Sequence, residues 1–82
     1  MIAEYLDKAM QYARFERIED GTIFGSFPDV PELLGVYADA DTEEECRTEL
    51  RDVLEGWVLL SIYDHTPIPA IDGVTVEAGS PV

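Results

Sequence analysis

Residues 42–63 carry the pattern of one long amphipathic helix, which constrains the fold more than any other feature of the sequence. Thr42 is followed three residues later by Glu45, the capping-box spacing in which a hydroxyl and a carboxylate satisfy backbone N–H groups at a helix start. Acidic residues in the first turn also suit the helix dipole. Pro67 and Pro69 then stop the helix. The predicted inner face consists of Cys46, Leu50, Val53, Leu54, Trp57, Val58 and Ser61.

The last turns of this helix, from Val58 to Tyr63, are apolar on nearly every side. Residues two apart point to different sides of a helix, so a single sheet cannot bury them all. Either the N-terminal helix covers the remainder, or a second copy of the chain does. We expect the second arrangement, a homodimer or a larger assembly. The residues selected for self-association are Trp57, Leu59, Ile62 and Tyr63.

Shorter segments complete the predicted fold. Residues 1–13 repeat apolar side chains at helical spacing. Asp20-Gly21 separates two strand-like runs, because this dipeptide tolerates the positive φ angles of a two-residue hairpin turn. A third strand is predicted at Leu33–Ala38 and a last one at Gly73–Ala78, with residues 79–82 as a frayed tail.

This order of elements predicts an α+β fold in two layers. The sequence reads α-β-β-β-α-β, and the simplest packing is an antiparallel sheet of three to four strands with the long helix across one face. The whole chain, residues 1–82, makes one small domain.

Composition limits the functions open to such a domain. The chain has 18 acidic and 5 basic residues, for a formal net charge of −13. That charge repels nucleic-acid phosphates and attracts a basic protein. One cysteine allows no intrachain disulfide, and the sequence shows neither a signal peptide nor an apolar run of membrane-spanning length. The expected location is therefore the cytoplasm, with no membrane partner.

The chemistry-bearing residues suggest no catalytic or metal site. Asp39, Asp41 and Glu43 alternate like the oxygen ligands of a calcium loop. However, Glu44 stands where that loop needs glycine, and Leu50 where it needs a bidentate acid. One histidine and one cysteine complete neither a nucleophile–base constellation nor a nitrogen and sulfur metal site. We predict no catalytic residue, metal or cofactor, and the chain is not expected to be an enzyme.

Four short motifs follow one another within about residues 15–78. They are Asp20-Gly21, Phe27-Pro28-Asp29-Val30-Pro31, Asp41-Thr42-Glu43-Glu44-Glu45-Cys46 and Ile68-Pro69. In this order and spacing they resemble the N-terminal, partner-binding domain of HicB-like antitoxins, in a stand-alone form. The chain differs at Ala40, where that family usually has glycine, and at Cys46, where a small residue is common. The helix before the hairpin is also additional.

The resemblance implies a degraded ribonuclease H-like fold without working catalytic carboxylates. It also implies a partner, a small basic mRNA-cleaving toxin of HicA type that the domain binds and blocks. Two-domain members continue into a DNA-binding segment; none is recognised here, so we expect no DNA-binding domain and no direct nucleic-acid binding. The candidate partner-binding residues are Asp29, Asp39, Asp41, Glu43 and Glu44.

Three functions remain open on sequence grounds. The favoured one is a non-catalytic antitoxin that neutralises such a toxin. The second is a stand-alone oligomeric regulatory or scaffold protein with no toxin. The third is a metal-dependent ribonuclease H-like phosphodiesterase, which is disfavoured because two-metal chemistry needs carboxylates converging from different elements, whereas these acids cluster at one helix start.

Overall fold

The computed structural model describes residues 2–74 and confirms the α+β architecture. A three-stranded antiparallel sheet in the order β1-β2-β3 packs against the long helix. Of the predicted last strand, Gly73 lies in a turn and Val74 forms an isolated antiparallel bridge with Ile71. Residues 75–78 and the predicted tail 79–82 lie outside the described residues. The elements are α1 Ile2–Met10, β1 Arg14–Arg17, β2 Ile23–Ser26, a 3₁₀ turn Pro31–Leu33, β3 Tyr37–Ala40 and α2 Glu43–Tyr63.

The strand register decides which side chains face α2. Gly25 pairs with Phe15 on one side and Ala38 on the other, and the Cys46 thiol of α2 donates to the Ala38 carbonyl oxygen at 3.5 Å. These residues therefore belong to the inner face of the sheet. Because side chains alternate along a strand, their neighbours form the outer face. The outer face carries Arg14, Glu16, Phe24, Ser26, Tyr37 and Asp39.

One side of α1 completes the core between α2 and the segment of residues 67–74. Tyr5 is fully buried, and its hydroxyl donates to the Pro69 carbonyl oxygen at 2.6 Å. The Tyr12 hydroxyl reaches Asp72 Oδ1 at 2.5 Å, just after the helix. The predicted helix over residues 1–13 is therefore too long, since the described helix ends at Met10 and a turn follows it. The core cluster contains Tyr5, Leu6, Ala9, Met10, Phe27, Leu33, Val36, Ala38, Leu50, Leu54, Val58 and Ile71.

Thr42 is the N-cap of α2, as predicted. Its Oγ1 accepts a hydrogen bond from the Glu45 backbone N–H at 3.2 Å. The second hydrogen bond of the predicted capping box differs. The Glu45 carboxylate accepts from the Thr42 hydroxyl at 3.1 Å, whereas a capping box would have it accept from the Thr42 backbone N–H. The predicted inner face is right for the buried residues Cys46, Leu50, Leu54, Val58 and Ser61, whereas Val53 is 42% exposed and Trp57 is half-buried.

The C-terminal end of α2 closes through a left-handed residue. His65 has a φ of 57°, and its N–H donates to the Ile62 carbonyl oxygen at 3.2 Å. The Thr66 N–H donates to the Ser61 carbonyl oxygen at 2.8 Å. This pair of bonds is the Schellman arrangement, in which glycine is the usual left-handed residue.

The two Asp-Gly pairs form different turns, which corrects the prediction for the first. At Asp20-Gly21 only the glycine has a positive φ, of 90°, and the loop has three residues because Ile18 pairs with Thr22. That geometry is a turn followed by a left-handed bulge residue. The two-residue turn with both φ angles positive is found at Asp72-Gly73, with values of 50° and 80°.

The third strand begins later than predicted, at Tyr37 and not at Leu33. Pro31 presets a helical φ, so the chain enters a 3₁₀ turn that sends Leu33 into the core. The strand then continues to Ala40, which pairs with Ile23, and Asp39 lies on its outer face. The apolar composition of Leu33–Ala38 signalled burial, but the run was too short to distinguish a strand from a turn.

Candidate protein interface

An aromatic pair lies on the outer face of the sheet, away from α2. The Phe24 and Tyr37 rings are 5.9 Å apart between centroids and inclined at 31°, a tilted pair of favourable geometry. Phe24 is half-buried and Tyr37 is 58% exposed. No helix of the described residues covers this pair, so it presents an apolar platform to solvent.

Carboxylates flank this platform. Glu16 and Asp39 are the register partners of Phe24 on the two neighbouring strands, and both are exposed. Arg14, in the adjacent row, forms an ion pair with Asp29 at 2.9 Å, so its charge is offset locally. The outer face is therefore aromatic at its centre and anionic beside it.

Four of the five predicted partner-binding carboxylates lie together. Asp39, Asp41, Glu43 and Glu44 are exposed and follow one another from the end of β3 into the first turn of α2. Within residues 2–74 none of them forms an ion pair. Asp29 does not join them, because it follows the other end of β2, where Ser26 pairs with Tyr37. We call Asp39, Asp41, Glu43 and Glu44 the acidic junction.

An open depression of about 560 Å³ runs along the first turns of α2, beside the acidic junction. The residues that line it are polar or acidic: Thr42, Glu44, Glu45, Thr48 and Glu49. Over the part of the chain that the structure describes, no group of three or more His, Cys, Asp or Glu residues is arranged to hold a metal ion. The depression thus presents carboxylates to solvent or to a partner.

The reactive side chains do not meet. The thiol of Cys46 is fully buried, and burial, with a further contribution from the Asp39 carboxylate, raises its pKa. His65 follows the opposite end of α2, about 28 Å away along the helix axis. A raised thiol pKa and a distant imidazole supply no activated nucleophile.

A second exposed surface lies on the C-terminal half of α2. Leu59 is about half exposed, Leu60 is 58% exposed and Tyr63 is 82% exposed. Of the predicted self-association residues, Trp57 and Ile62 are instead half-buried and pack against the core. Leu60 was not selected from the sequence, yet it is more exposed than either of them. We call Val53, Gly56, Leu59, Leu60 and Tyr63 the α2 apolar surface.

Sequence reasoning also missed Glu16, Phe24 and Tyr37. Their shared surface depends on cross-strand register, which places Glu16 beside Phe24 and Phe24 beside Asp39. The available signal was alternation, since Phe24 lies between Ile23 and Gly25, which both face inward.

None of the helices among the described residues is long and apolar enough to cross a membrane.

Comparison with known proteins places this architecture in a family. Residues 4–69 match the UPF0150-like family. The crystal structure of TTHA0281 from Thermus thermophilus is similar, with 34% sequence identity and a TM-score of 0.81. That alignment covers 93% of this chain and 91% of TTHA0281. No protein with a curated description matches the chain.

The family match spans most of α1, the whole sheet and α2, and so includes both the aromatic platform and the acidic junction. The similarity to TTHA0281 extends over nearly the full length of both chains. This chain therefore belongs to the UPF0150-like family.

Proposed function

We propose that the protein is a non-catalytic, HicB-like antitoxin that binds and neutralises a small basic mRNA-cleaving toxin of HicA type. The observation that carries the proposal is the continuous anionic surface formed by the acidic junction and the outer face of the sheet. Asp39 belongs to both parts, because it ends the row Glu16–Phe24–Asp39 and precedes the carboxylates at the start of α2.

Charge complementarity supports a basic partner. A ribonuclease must hold RNA phosphates with lysine or arginine side chains, so its active surface is cationic. A net charge of −13 draws such a protein in. The carboxylates of the acidic junction are exposed and form no ion pair with any other residue of 2–74, so they can meet its cations. Covering that surface blocks RNA access without any chemistry by the antitoxin.

The aromatic platform supports a protein partner in particular. Tyrosine and phenylalanine supply apolar contact area, and their ring faces attract arginine and lysine. With Glu16 and Asp39 beside Phe24, an incoming cation meets a ring face and a carboxylate together. Nucleic acid is disfavoured at the same place because its phosphates would meet those carboxylates.

The test is coexpression with a small basic protein encoded beside this chain. We expect that protein to arrest growth alone, to cleave mRNA, and to be neutralised when this chain is present. The double variant Asp39→Lys with Glu43→Lys should abolish neutralisation. The control, Asp52→Lys with Glu55→Lys, changes the net charge equally at exposed positions further along α2 and should leave neutralisation intact.

Two results would contradict the proposal. One is unrelieved toxicity in the presence of the folded wild-type chain. The other is equal loss of neutralisation in both charge-reversal variants, which would show that net charge matters and the acidic junction does not.

The exposed α2 apolar surface favours a second candidate, a stand-alone oligomeric regulatory or scaffold protein. Val53, Leu59, Leu60 and Tyr63 are exposed apolar residues on one side of α2, and grouped exposed apolar residues favour an association surface. This candidate predicts stable self-assembly with no effect on any neighbouring toxin. The coexpression experiment and a measurement of mass in solution therefore separate the two functions.

A further inference from the structure

We infer that β3 accepts an added strand from a basic partner, with an extended segment rich in lysine and arginine pairing along the edge of β3 that faces away from β2. This mode of contact deepens the proposed function, and it rests on that function for one point, namely that the segment belongs to the toxin. Three features carry it: the hydrogen-bond pattern of the sheet, the position of the depression along α2, and the charge on both sides of this edge.

The hydrogen-bond pattern of the sheet is set at the first hairpin. The Ile18 N–H donates to the Thr22 carbonyl oxygen at 2.9 Å, so these two residues form a hydrogen-bonded pair. Opposite residues of antiparallel strands alternate between bonded and non-bonded pairs. Two residues further along each strand, Glu16 and Phe24 are therefore a bonded pair, and the backbone N–H and C=O of Phe24 point toward β1.

The same alternation leaves two residues of β3 with outward-pointing backbone groups. Because Phe24 bonds to β1, the residues on either side of it bond to β3, where their register partners are Ala38 and Ala40. The N–H and C=O groups of Tyr37 and Asp39 consequently point away from β2, and within residues 2–74 no other backbone group bonds to them. We call this row of groups the open edge of β3. Such an edge is a template for an added strand.

The depression along α2 lies on the β3 side of the helix. Arg47 packs over the Phe15 ring at 4.8 Å from its centroid, so Arg47 marks the side of α2 that faces β1. Glu45 and Glu49 are each two residues from Arg47, which places them about 200° around the helix, on the opposite side. Both residues line the depression, so it flanks α2 above the open edge. A strand added about 4.8 Å beyond β3 would lie beneath it.

Carboxylates meet both faces of a strand added at the open edge. Side chains on its outer side extend the row Glu16–Phe24–Asp39 and lie beside Asp39. Side chains on its inner side point toward the depression and its carboxylates, Glu45 and Glu49. Opposite charges on neighbouring strands stabilise a sheet, whereas like charges destabilise it. The added strand is therefore expected to carry lysine or arginine on both of its faces.

The same charges disfavour other occupants of the open edge. Two copies of β3 paired edge to edge would bring together the carboxylates of two chains, each of net charge −13. Residues 75–82 contain one acidic residue and no basic residue, so they offer these carboxylates no cation. Nucleic acid brings phosphates and no peptide backbone. A basic extended segment satisfies both the backbone groups and the carboxylates.

Amide hydrogen exchange, followed residue by residue by NMR, tests the open edge in the unbound protein. The amides of Tyr37 and Asp39 should exchange quickly, whereas the amide of Ala38, which bonds to β2, should exchange at least about tenfold more slowly. Protection of Tyr37 and Asp39 before any ligand is added would show that another part of the chain already holds this edge. That result would overturn the inference.

A synthetic peptide that repeats Lys-Lys-Val-Val probes the bound state, because its extended form carries lysine on both faces. It should protect the amides of Tyr37 and Asp39 in a saturable manner. The matched peptide with glutamate in place of lysine should not protect them. Failure of the lysine peptide to protect these two amides would overturn the inference.

Two N-methylated forms of the lysine peptide separate strand pairing from simple charge attraction. Methyl groups on alternate residues leave one edge of the peptide able to pair, so binding should persist. The same number of methyl groups on consecutive residues blocks both edges and should weaken binding roughly tenfold or more. Equal affinity of the two forms would show that charge alone holds the peptide, against strand addition.

Asp39→Pro removes a donor from the protein's side of the contact. Proline is tolerated on an edge strand where its nitrogen faces away from the sheet, so the variant should fold. It should bind the lysine peptide roughly tenfold or more weakly and should fail to neutralise the toxin. Asp39→Asn loses the charge but keeps the N–H, and should retain most of both activities. If Asp39→Pro does not fold, the methylated peptides still decide.

The two proposals fail in different ways. A folded Asp39→Pro protein that neutralises the toxin as well as wild type would overturn strand addition and leave the proposed function standing. Protection of the Tyr37 and Asp39 amides by the lysine peptide, without neutralisation by wild type, would reject the proposed function. It would also support the open edge as the docking site of a different basic segment.

Discussion

Thr42 and Glu45 hold each other at the start of α2. The Thr42 hydroxyl oxygen accepts from the Glu45 N–H at 3.2 Å and donates to the Glu45 carboxylate at 3.1 Å. One side chain therefore caps the helix and orients the acid that follows it. Thr42 lies between Asp41 and Glu43, so the cap also orders the middle of the acidic junction.

Removing the cap should destabilise the protein. Thr42→Ala loses the acceptor for the Glu45 N–H and should cost about 1 kcal/mol in the free energy of unfolding. Thr42→Ser keeps the hydroxyl and should stay close to wild type. Denaturant titration measures both. Coincident denaturant midpoints for Thr42→Ala and wild type would show that the Thr42 side chain contributes nothing to the stability of the helix start.

Gly25 should not tolerate a methyl group. A Cβ there would lie 2.9 Å from Phe15 Cε1 and 3.0 Å from Cys46 Sγ, between the sheet and α2. Gly25→Ala should therefore destabilise the protein by about 1–3 kcal/mol through overpacking. Gly35→Ala is the control, because nothing lies within 4 Å of the Cβ position at Gly35. Equal thermal midpoints for the two variants would contradict the close approach.

His65→Gly should stabilise the protein. The backbone at His65 has a φ of 57°, which glycine adopts without the steric cost of a Cβ. The gain should be about 1 kcal/mol in unfolding free energy. His65→Ala keeps the Cβ and should bring no gain. If both variants are stabilised equally, loss of the imidazole and not relief of the backbone is responsible.

Tyr5 should make stability depend on alkaline pH. Burial, together with the nearby Glu32 carboxylate, raises the pKa of Tyr5 from 10.0 to about 12. The unfolded chain therefore loses this proton first. The contribution of Tyr5 is fully present below pH 10 and is lost as the pH rises toward 12.

Urea midpoints at pH 9 and pH 11 measure this effect. The urea midpoint of wild type should fall more steeply between the two pH values than the midpoint of Tyr5→Phe. The variant also loses the hydrogen bond to Pro69, which should lower its unfolding free energy by about 1 kcal/mol at neutral pH. Tyr63→Phe, at an exposed position, should keep the wild-type slope. Identical slopes in wild type and Tyr5→Phe would exclude Tyr5 as the group responsible.

Cys46 should be protected from alkylation in the folded protein. Its thiol is fully buried and its pKa is raised, so the reactive thiolate is scarce and enclosed. Iodoacetamide at pH 8 should label it only at the rate at which the protein unfolds. An added thiol in Thr48→Cys, exposed on the same helix, should react quickly. Labelling of wild type at that faster rate would show the core around Cys46 to be open.

Local signals in the sequence predicted α2 well. Its start depends on Thr42 and Glu45, three residues apart, and its inner face repeats at helical spacing, so few distant contacts were needed. Val53 and Trp57 were the exceptions, since Val53 is 42% exposed and Trp57 is only half-buried. The start of the third strand was predicted four residues too early. Residues Pro31–Leu33 instead form a 3₁₀ turn that buries Leu33, and this burial depends on core residues distant in sequence.

The candidate surfaces were predicted less completely, since they depend on neighbours distant in sequence. The acidic junction is contiguous in the chain and was identified, whereas Asp29 was grouped with it although the sheet separates them. The Phe24–Tyr37 pair requires the register of β2 and β3. Leu60 and Ile62 differ in exposure only because α1 and residues 67–74 approach α2 from one side.

The fastening of α1 to residues 67–74 has a consequence for folding on the ribosome. The bonds from Tyr5 to Pro69 and from Tyr12 to Asp72 join residues 64 and 60 positions apart. At common rates of translation, α1 emerges roughly 3–13 s before the segment that receives these hydroxyls. During that interval the buried side of α1 lacks one of its final partners, and nascent chains on neighbouring ribosomes are exposed to it. The speed at which the codons between α1 and residues 67–74 are translated should therefore affect the yield of folded protein more than its final stability.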